Sequence, residues 1–471
     1  MKKLKRLISC LVLLAAAYGG LCGCNTSGSA PADIQAVFNK PLYKNATWGL
    51  RVVDADGKVL VNLNPHYDFF VASVRKVFTV GELLNEVGPD HTYNTPVYYQ
   101  GAIDSAGALQ GNLILVASGD LSMGGRTNPD GTIAISNYDH NEADALGNAV
   151  LTSPDPLAGY KALAQQVASR IKKVSGDVII DDRLFQPFNF RDEFNLSPIF
   201  VNDDVVDLTI NPTNPGDPAS VVWRPTSAAL AVASTLMTGA PGSNSTLKLN
   251  PELPLCIGQP GCAAGITGQL PTDLVPPLTN SFPLIQTFRI VQPANYARTV
   301  FIEALQAAGV TVDAAPVAQN PVQLLPAKDS YSVDTEVAEL TGMPYSDYAK
   351  LIEKVSYNVG ADTSLLLFGL AHGVDNMSDA LNVEAKNLVS NYGIPAGEFT
   401  FLDGSGGGDT TATNVAVTQM LTAMTTKSTF PVYFDSMPIL AKDGSLSFVT
   451  DFQSDATLSG ATGSEIGRAH V

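Results

Sequence analysis

The chain has 471 residues, of which 15% are charged and 45% are apolar, so it can bury large hydrophobic cores and is not a disordered protein. By length it has room for about three domains. Its formal net charge of −17 at pH 7 argues against a nucleic-acid partner, which would need a basic face, and against electrostatic adhesion to anionic lipid.

The N-terminus carries the pattern of an export signal. A basic stretch, residues 1–6, precedes an apolar stretch, residues 7–17, that is short for a membrane span. The following Leu21-Cys22-Gly23-Cys24 resembles the bacterial lipoprotein cleavage box, in which the last cysteine is lipidated. We expect residues 1–23 to be a signal peptide, Cys24 the lipidated residue and 24–34 a flexible tether. Because Cys22 is unusual at its position, plain secretory cleavage stays open.

Export would place the remaining cysteines in an oxidising compartment. Cys256 and Cys262 lie in one loop rich in Gly and Pro, which favours a local disulfide over two free thiols. The five histidines are scattered, and no zinc-binding spacing is present, so we expect no metal site. No later segment is long and apolar enough to span a membrane, so we expect attachment through the lipid alone.

Ser73-Val74-Arg75-Lys76 places a serine three residues before a lysine at the start of a predicted helix. A predicted β-hairpin, residues 48–63, precedes it. Positions i and i+3 share one helix face, so the hydroxyl and the amine can meet. A lysine whose pKa is depressed by burial or by a second cation can take the serine proton. The alternative interpretation is a helix N-cap serine followed by a solvated lysine.

The same pattern recurs at Ser169 and Lys172. It lies there inside an amphipathic stretch, residues 157–173, which predicts an ordinary surface helix. The spacing alone is therefore weak support for a nucleophile.

The middle of the chain alternates between helical and strand-like segments. Strands are predicted at 111–116 and 177–180, and a long loop at 121–142. Residues 205–268 are rich in Pro, Gly, Asn and Ser with short β-prone pieces, which is typical of a small β-rich module. A helix is predicted at 294–308.

A second pair of polar residues follows in the last third of the chain. Ser356 is the only serine of the chain with an asparagine, Asn358, two residues later. A hydroxyl and an amide between two predicted helices could relay a proton and hold a substrate amide. The alternative is helix capping by Ser356. A glycine-rich turn, residues 403–408, comes next.

Ser73-x-x-Lys76 followed by Ser356-x-Asn358 is the order of motifs in penicillin-recognising serine enzymes. The long separation resembles the class C low-molecular-mass penicillin-binding proteins, the D-Ala-D-Ala carboxypeptidase/endopeptidase family. Further stretches are similar to that family, and the likeness covers roughly residues 37–463. They are 111–120, 181–185, 268–271 and 403–406.

The resemblance implies a role for each residue of the two motifs. Ser73 would be the acylated nucleophile, Lys76 its general base and Ser356 a proton relay to the leaving group. Asn358 would bind the substrate amide. Peptidoglycan stem peptides would be the substrates and β-lactams the inhibitors, with no cofactor.

The implied fold class is α+β, a transpeptidase domain like those of penicillin-binding proteins and serine β-lactamases, with an antiparallel sheet flanked by helices. That domain would be split in sequence, 35–95 and 327–464. A large inserted domain, 96–326, would carry the nested β-rich module at about 205–268.

One departure concerns the family's third motif, Lys-Thr-Gly, which does not occur after Asp403. The last residues, 465–471, match the translation of a common sequencing adapter. We therefore expect the chain to be C-terminally truncated near Ser464, and this form to react weakly or not at all with penicillin.

Two functions remain. The first is an exported serine D-Ala-D-Ala carboxypeptidase/endopeptidase of the cell envelope or periplasm, lipid-anchored to the membrane. The alternative is a non-catalytic, penicillin-binding envelope lipoprotein that acts as a binding module or sensor.

Overall fold

The computed structural model describes residues 30–447. The predicted signal peptide 1–23, Cys24, the first part of the tether and the tail 465–471 lie outside the described residues. Within 30–447, no helix has both the length and the apolar character that crossing a membrane requires.

The described residues form helices and short strands throughout. The helices are α1 (Ala32–Phe38), α2 (Lys76–Val87), α3 (Ala143–Leu146), α4 (Ala158–Arg170), α5 (Pro293–Ala307), α6 (Tyr345–Val355), α7 (Asn358–Ala371), α8 (Met377–Tyr392), α9 (Asn414–Met424) and α10 (Phe430–Ser436). The strands up to residue 200 are β1 (Leu50–Val53), β2 (Val59–Leu63), β3 (Phe69–Phe70), β4 (Thr95–Ile103), β5 (Ala108–Val116), β6 (Lys173–Val174), β7 (Val178–Asp181), β8 (Phe188–Phe190) and β9 (Phe194–Leu196). The later strands are β10 (Val205–Asn211), β11 (Ser220–Arg224), β12 (Ala231–Ser234), β13 (Met237–Gly239), β14 (Lys248–Asn250), β15 (Ala263–Thr267), β16 (Gln269–Pro271), β17 (Leu284–Arg289), β18 (Thr311–Val312), β19 (Glu336–Leu340), β20 (Phe399–Thr400) and β21 (Thr411–Ala412).

The chain divides into two compact units. The split unit combines the described residues up to Pro89 with those from Ala349 onward, and the inserted unit is Asp90–Tyr348. The inserted unit contains the predicted insertion, 96–326, and extends beyond it at both ends. The mixture of helices and sheets confirms the predicted α+β class.

In the split unit, β1 and β2 form the predicted hairpin. They pair antiparallel, with Leu50 opposite Leu63. The Asp54 carboxylate accepts hydrogen bonds from the backbone N–H groups of Asp56 and Lys58, a typical way for an aspartate to close a turn. A second small sheet has the strand order β20-β21-β3.

Helices α2 and α7 form the core of the split unit. The apolar side chains of α2 are fully buried at Phe78, Val80 and Leu83, and α2 ends at Gly88, whose φ of 87° suits a glycine. Helix α7 is buried on nearly every face, which explains its lack of amphipathic periodicity. Ser73, just before α2, and Ser356, just before α7, are therefore positioned by rigid elements.

The inserted unit is built on a mixed six-stranded sheet. Its order is β18-β6-β5-β4-β19, and β7 pairs with β5 on the other part of that strand's length. The long antiparallel pair β4–β5 carries Gly101 opposite Gly111, where a Cβ on Gly111 would lie 1.8 Å from the Gln100 carbonyl oxygen. Only glycine permits this close approach of the two strands.

Short strands dominate the stretch where the sequence predicts a β-rich module. Strands β11, β10 and β17 form an antiparallel sheet. Strands β12, β15 and β14 form a mixed sheet, in which β12 runs parallel to β15 and β14 antiparallel to it. The structure joins Cys256 and Cys262 by a disulfide in the loop between β14 and β15. Cys262 is buried.

Candidate active site

Four predicted residues of the split unit converge on one cluster of hydrogen bonds. The hydroxyl oxygens of Ser73 and Ser356 lie 2.6 Å apart, although 283 residues separate them in the chain. The Lys76 Nζ lies 2.8 Å from the Ser73 Oγ and 3.2 Å from the Ser356 Oγ. It also donates to the Asn358 Oδ1 at 2.6 Å. The structure thus brings together every residue of the two motifs.

Local backbone geometry presents the two hydroxyls to each other. Ser73 lies in a short 3₁₀ turn, Ala72–Arg75, that leads directly into α2. Ser356 lies between α6 and α7. Both Ala72, with φ 44°, and Ser356, with φ 62°, occupy the left-handed region, which is uncommon for non-glycine residues and recurs at functional sites.

The amine and the two hydroxyls of the cluster differ in their exposure to solvent. Lys76 is fully buried, whereas Ser73 and Ser356 are half-buried and reachable. A neutral amine has two N–H donors and one lone pair. If these donors serve Asn358 Oδ1 and the Ser405 carbonyl, which lies 3.1 Å from Nζ, the lone pair is left for the Ser73 proton.

The glycine turn, residues 403–408, is shaped by two buried carboxylates. The Asp403 carboxylate accepts hydrogen bonds from the backbone N–H groups of three turn residues, Ser405, Gly406 and Gly407. The Asp362 carboxylate, from α7, accepts from the Gly404 N–H at 2.8 Å and from the Ser405 hydroxyl at 3.3 Å. These bonds fix the direction of the carbonyl groups along the turn.

Three consecutive carbonyls of that turn accept hydrogen bonds from the nucleophile segment. The Asp403 carbonyl accepts from Arg75 Nε at 2.9 Å, and the Gly404 carbonyl accepts from Thr79 Oγ1 at 2.8 Å. The Ser405 carbonyl accepts from Lys76. The turn therefore positions the lysine amine with backbone atoms, which carry no residue-type signal in a sequence.

An ion pair lies behind the cluster. Arg75 and Glu384 are both buried, and Arg75 Nη2 lies 2.6 and 2.5 Å from the two Glu384 carboxylate oxygens. Burial and the neighbouring Glu384 carboxylate raise the pKa of Glu82 well above its ordinary value, because both disfavour the charged form of this carboxyl.

The inserted unit holds a separate buried network. Asp139, His140 and Asp203 offer ligand atoms within 4.8 Å of one another, close enough to share a metal ion. Arg126, however, donates to both Asp139 and Asp203. The two imidazole nitrogens of His140 contact Asp207 at 2.6 Å and Asp203 at 3.0 Å. Arg126 and His140 already pair with these carboxylates, so the donor set fits an ion-pair network better than a metal site.

The remaining sequence-predicted residues lie elsewhere. The Ser169 hydroxyl donates to the Gln166 carbonyl on the exposed face of α4, and Lys172, just after the end of that helix, donates to the Ala168 carbonyl. This second Ser-x-x-Lys therefore lies at the surface, away from the cluster. Sequence reasoning missed the contributions of Arg75, Glu384 and Asp362. The position of Arg75 inside the first motif is the one signal that could have drawn attention to it.

Comparison with known proteins identifies the family of this chain. The family model described as D-Ala-D-Ala carboxypeptidase 3 (S13) family matches residues 30–466. A D-alanyl-D-alanine carboxypeptidase from Actinomadura sp. (strain R39) is 25% identical over 393 residues, which cover 79% of this chain. The chain spans 63% of that relative's length.

Solved structures show the same fold. Penicillin binding protein 4 from Haemophilus influenzae matches with a TM-score of 0.61 and 16% identity, over 85% of this chain and 80% of that chain. The same protein complexed with a β-lactam matches with a TM-score of 0.56 and 18% identity, over 83% of this chain and 77% of that chain. The fold is thus that of a penicillin-binding protein. The chain belongs to the D-Ala-D-Ala carboxypeptidase 3 (S13) family, which confirms the family predicted from the order of its motifs.

Proposed function

We propose that this chain is a serine D-Ala-D-Ala carboxypeptidase/endopeptidase that acts on peptidoglycan stem peptides and is also acylated by β-lactams. The observation that carries the proposal is the cluster of Ser73, Lys76, Ser356 and Asn358 around one hydrogen-bonded centre. Family membership and the relative's activity support the same reaction class.

The cluster suits acyl transfer. Lys76 takes the proton as Ser73 Oγ bonds to the carbonyl carbon of the penultimate D-alanine. The backbone N–H of Ser73, at the start of the helical segment, helps to stabilise the oxyanion. The C–N bond then breaks, and the Ser356 hydroxyl relays a proton to the departing D-alanine amine. Asn358 holds the substrate amide, and water hydrolyses the ester. A β-lactam ring opened by the same attack leaves a stable ester on Ser73.

Fluorescent penicillin tests the nucleophile. In a longer form of the protein that includes the family's Lys-Thr-Gly motif, labelling is expected to fall to background in Ser73→Ala, with the adduct of the unmodified longer form mapped to Ser73 by mass spectrometry. The 471-residue form is expected to label weakly or not at all. Ser169→Ala is the matched control, because it removes the serine of the other Ser-x-x-Lys from a surface helix. Labelling that survives Ser73→Ala contradicts the assignment. A labelled protein that releases no D-alanine from stem peptides supports the binding-module alternative.

We also propose export and lipid anchoring through Cys24, because basic, apolar and cysteine-bearing segments follow one another in the order of a lipoprotein signal. In a bacterial host, Cys24→Ser is expected to abolish lipid modification and release the protein from the membrane fraction. Cys22→Ser is the matched control and is expected to stay lipidated. A Cys24→Ser protein that still carries lipid refutes this proposal.

A further inference from the structure

Arg75 lies between the nucleophile and the base in sequence, yet its side chain is turned into the core. The residue is 0% exposed. Its guanidinium contacts Glu384 and also lies 4.0 Å from the centre of the Phe401 ring. A buried cation with an anion and an aromatic face as neighbours is held in one orientation.

The same guanidinium reaches the glycine turn. Its Nε donates to the Asp403 carbonyl at 2.9 Å. The Ser405 carbonyl, two residues further on, accepts from Lys76. A displacement of the turn at residue 403 therefore moves the acceptor that orients the amine of the general base.

Glu384, the partner of Arg75, lies on α8 beside a second contact between α2 and α8. Glu82 lies seven residues after Arg75, two turns along the same helix face, and its Oε1 accepts from Asn387 Nδ2 at 2.7 Å. Asn387 follows Glu384 by three residues on α8. Two residues of the nucleophile segment thus face two residues of α8. This arrangement places the Glu384 carboxylate opposite Arg75, with the buried Glu82 beside it.

We propose that Arg75, held by Glu384, is a positioning residue for the general base: through the Asp403 carbonyl it fixes the glycine turn whose Ser405 carbonyl orients the Lys76 amine toward Ser73. This inference rests on the proposed acyl-transfer function. Arg75 touches neither hydroxyl of the cluster in any contact described above, so it acts through Lys76.

Such a role has a kinetic signature that a purely structural role lacks. Without the Ser405 acceptor in place, the amine can rotate, and its lone pair no longer points steadily at the Ser73 hydroxyl. Binding of a β-lactam before bond formation does not depend on that direction. We therefore expect the acylation rate constant to fall while the dissociation constant of the encounter complex changes little.

Rapid kinetics with a chromogenic β-lactam, on the longer form that includes the family's Lys-Thr-Gly motif, measure the two constants separately. Arg75→Met is expected to slow acylation by about 10- to 100-fold, as a misplaced reacting group does, with the dissociation constant within about threefold. The matched control is Arg298→Met in the inserted unit, which removes another buried arginine, paired with Asp177 at 2.5 Å. The control is expected to keep the acylation rate constant even if its melting temperature falls.

A conservative variant separates the ion pair from the contact with the turn. Arg75→Lys keeps a cation opposite Glu384 but lacks the Nε donor for the Asp403 carbonyl. We expect it to recover stability and still acylate slowly. Full recovery of the acylation rate in Arg75→Lys overturns the proposal, as does a loss of affinity without a loss of rate in Arg75→Met.

A crystal structure of Arg75→Met decides the question independently of activity. The proposal expects the distance between Lys76 Nζ and the Ser405 oxygen to exceed about 3.5 Å, the limit of a hydrogen bond. An unmoved turn refutes the positioning role. If a form extended to include the family's Lys-Thr-Gly motif is not acylated at Ser73, the proposed function fails, and the structure of the variant still tests the positioning role.

Discussion

Ala72 and Ser356 show how single residues bear strain beside the reacting hydroxyls. Each residue has a left-handed backbone conformation, which costs about 1–2 kcal/mol for a residue with a Cβ. Neighbouring contacts must offset that cost: Ser356 bonds to Ser73 and Lys76, and Gly406 packs directly against the Ala72 backbone. Strain at both positions fits a site whose geometry is imposed by its surroundings.

The sequence could predict the four motif residues but not the ion pair behind them. Ser73, Lys76, Ser356 and Asn358 follow a recognisable order and spacing. Arg75 and Glu384 are 309 residues apart, and a charged residue in a sequence gives no sign that it is buried, since most charged residues are exposed. Only the packing of α8 against the nucleophile segment reveals the pair.

His140 gives the inserted unit a pH-dependent stability. Burial alone would lower its pKa, but Asp207 and Asp203 raise it to about 10. A histidine in the unfolded chain has a pKa near 6.5, so the stabilising contribution of His140 is complete below about pH 6.5 and is lost as the pH rises through about 10. We expect the free energy of unfolding to fall by up to about 1.4 kcal/mol per pH unit in that window.

Denaturant unfolding from pH 6 to 10 measures this effect. His140→Gln is expected to flatten the slope, although Asp139, Arg126 and the other charges of the network remain. His66→Gln is the matched control, since His66 is exposed and pairs with Glu398, and it is expected to keep the slope. An unchanged slope in His140→Gln contradicts the assigned protonation.

At the scale of elements, the glycine turn was predicted as a turn and its function was not. Its contribution comes from three carbonyl groups, and every residue type has a carbonyl. What distinguishes the turn is its direction, which the Asp403 and Asp362 carboxylates impose. That direction depends on α7, about 40 residues upstream, and no local pattern records it.

Gly406→Ala tests the fit of this turn. A Cβ at residue 406 would lie 1.9 Å from the Ala72 carbonyl oxygen, and the φ of 98° also disfavours alanine. We expect the free energy of unfolding to fall by about 3 kcal/mol or more and penicillin acylation to be lost in the folded fraction.

Gly57→Ala is the control for that substitution. Gly57 has a similarly positive φ of 80° but nothing within 4 Å of an added Cβ. Gly57→Ala is therefore expected to lower the free energy of unfolding by only about 1–2 kcal/mol and to keep its acylation rate. Equal effects of the two substitutions would mean that backbone strain, and not the contact with Ala72, decides the outcome.

Helix α4 ends earlier than its hydrophobic pattern predicts, because the residues after it pair with β-strands. The amphipathic stretch 157–173 predicts one helix, but α4 ends at Arg170. Lys173 and Val174 instead form β6, which pairs with both β5 and β18. Sheet hydrogen bonds from distant strands overrode a local helical periodicity.

At the scale of the whole molecule, the sequence predicts an insertion because two related motifs lie far apart. The end of the inserted unit is harder to place. Residues 327–348 belong to it because β19 pairs antiparallel with β4, and these strands lie more than 200 residues apart. Pairing over such a distance leaves no signature in local composition, which is what a boundary between domains is usually read from.

The hydrogen bond between Ser73 and Ser356 spans 283 residues, and this has a consequence for biosynthesis. A ribosome adds about 5–20 residues per second, so on the order of 15 to 60 s pass between the emergence of the two hydroxyls. During that interval the nascent chain carries the serine and lysine without their relay, their amide or the Ser405 acceptor. The residues for acyl transfer are brought together only after the second segment of the split unit has been made. The nascent chain therefore cannot carry out acyl transfer before that segment is synthesised.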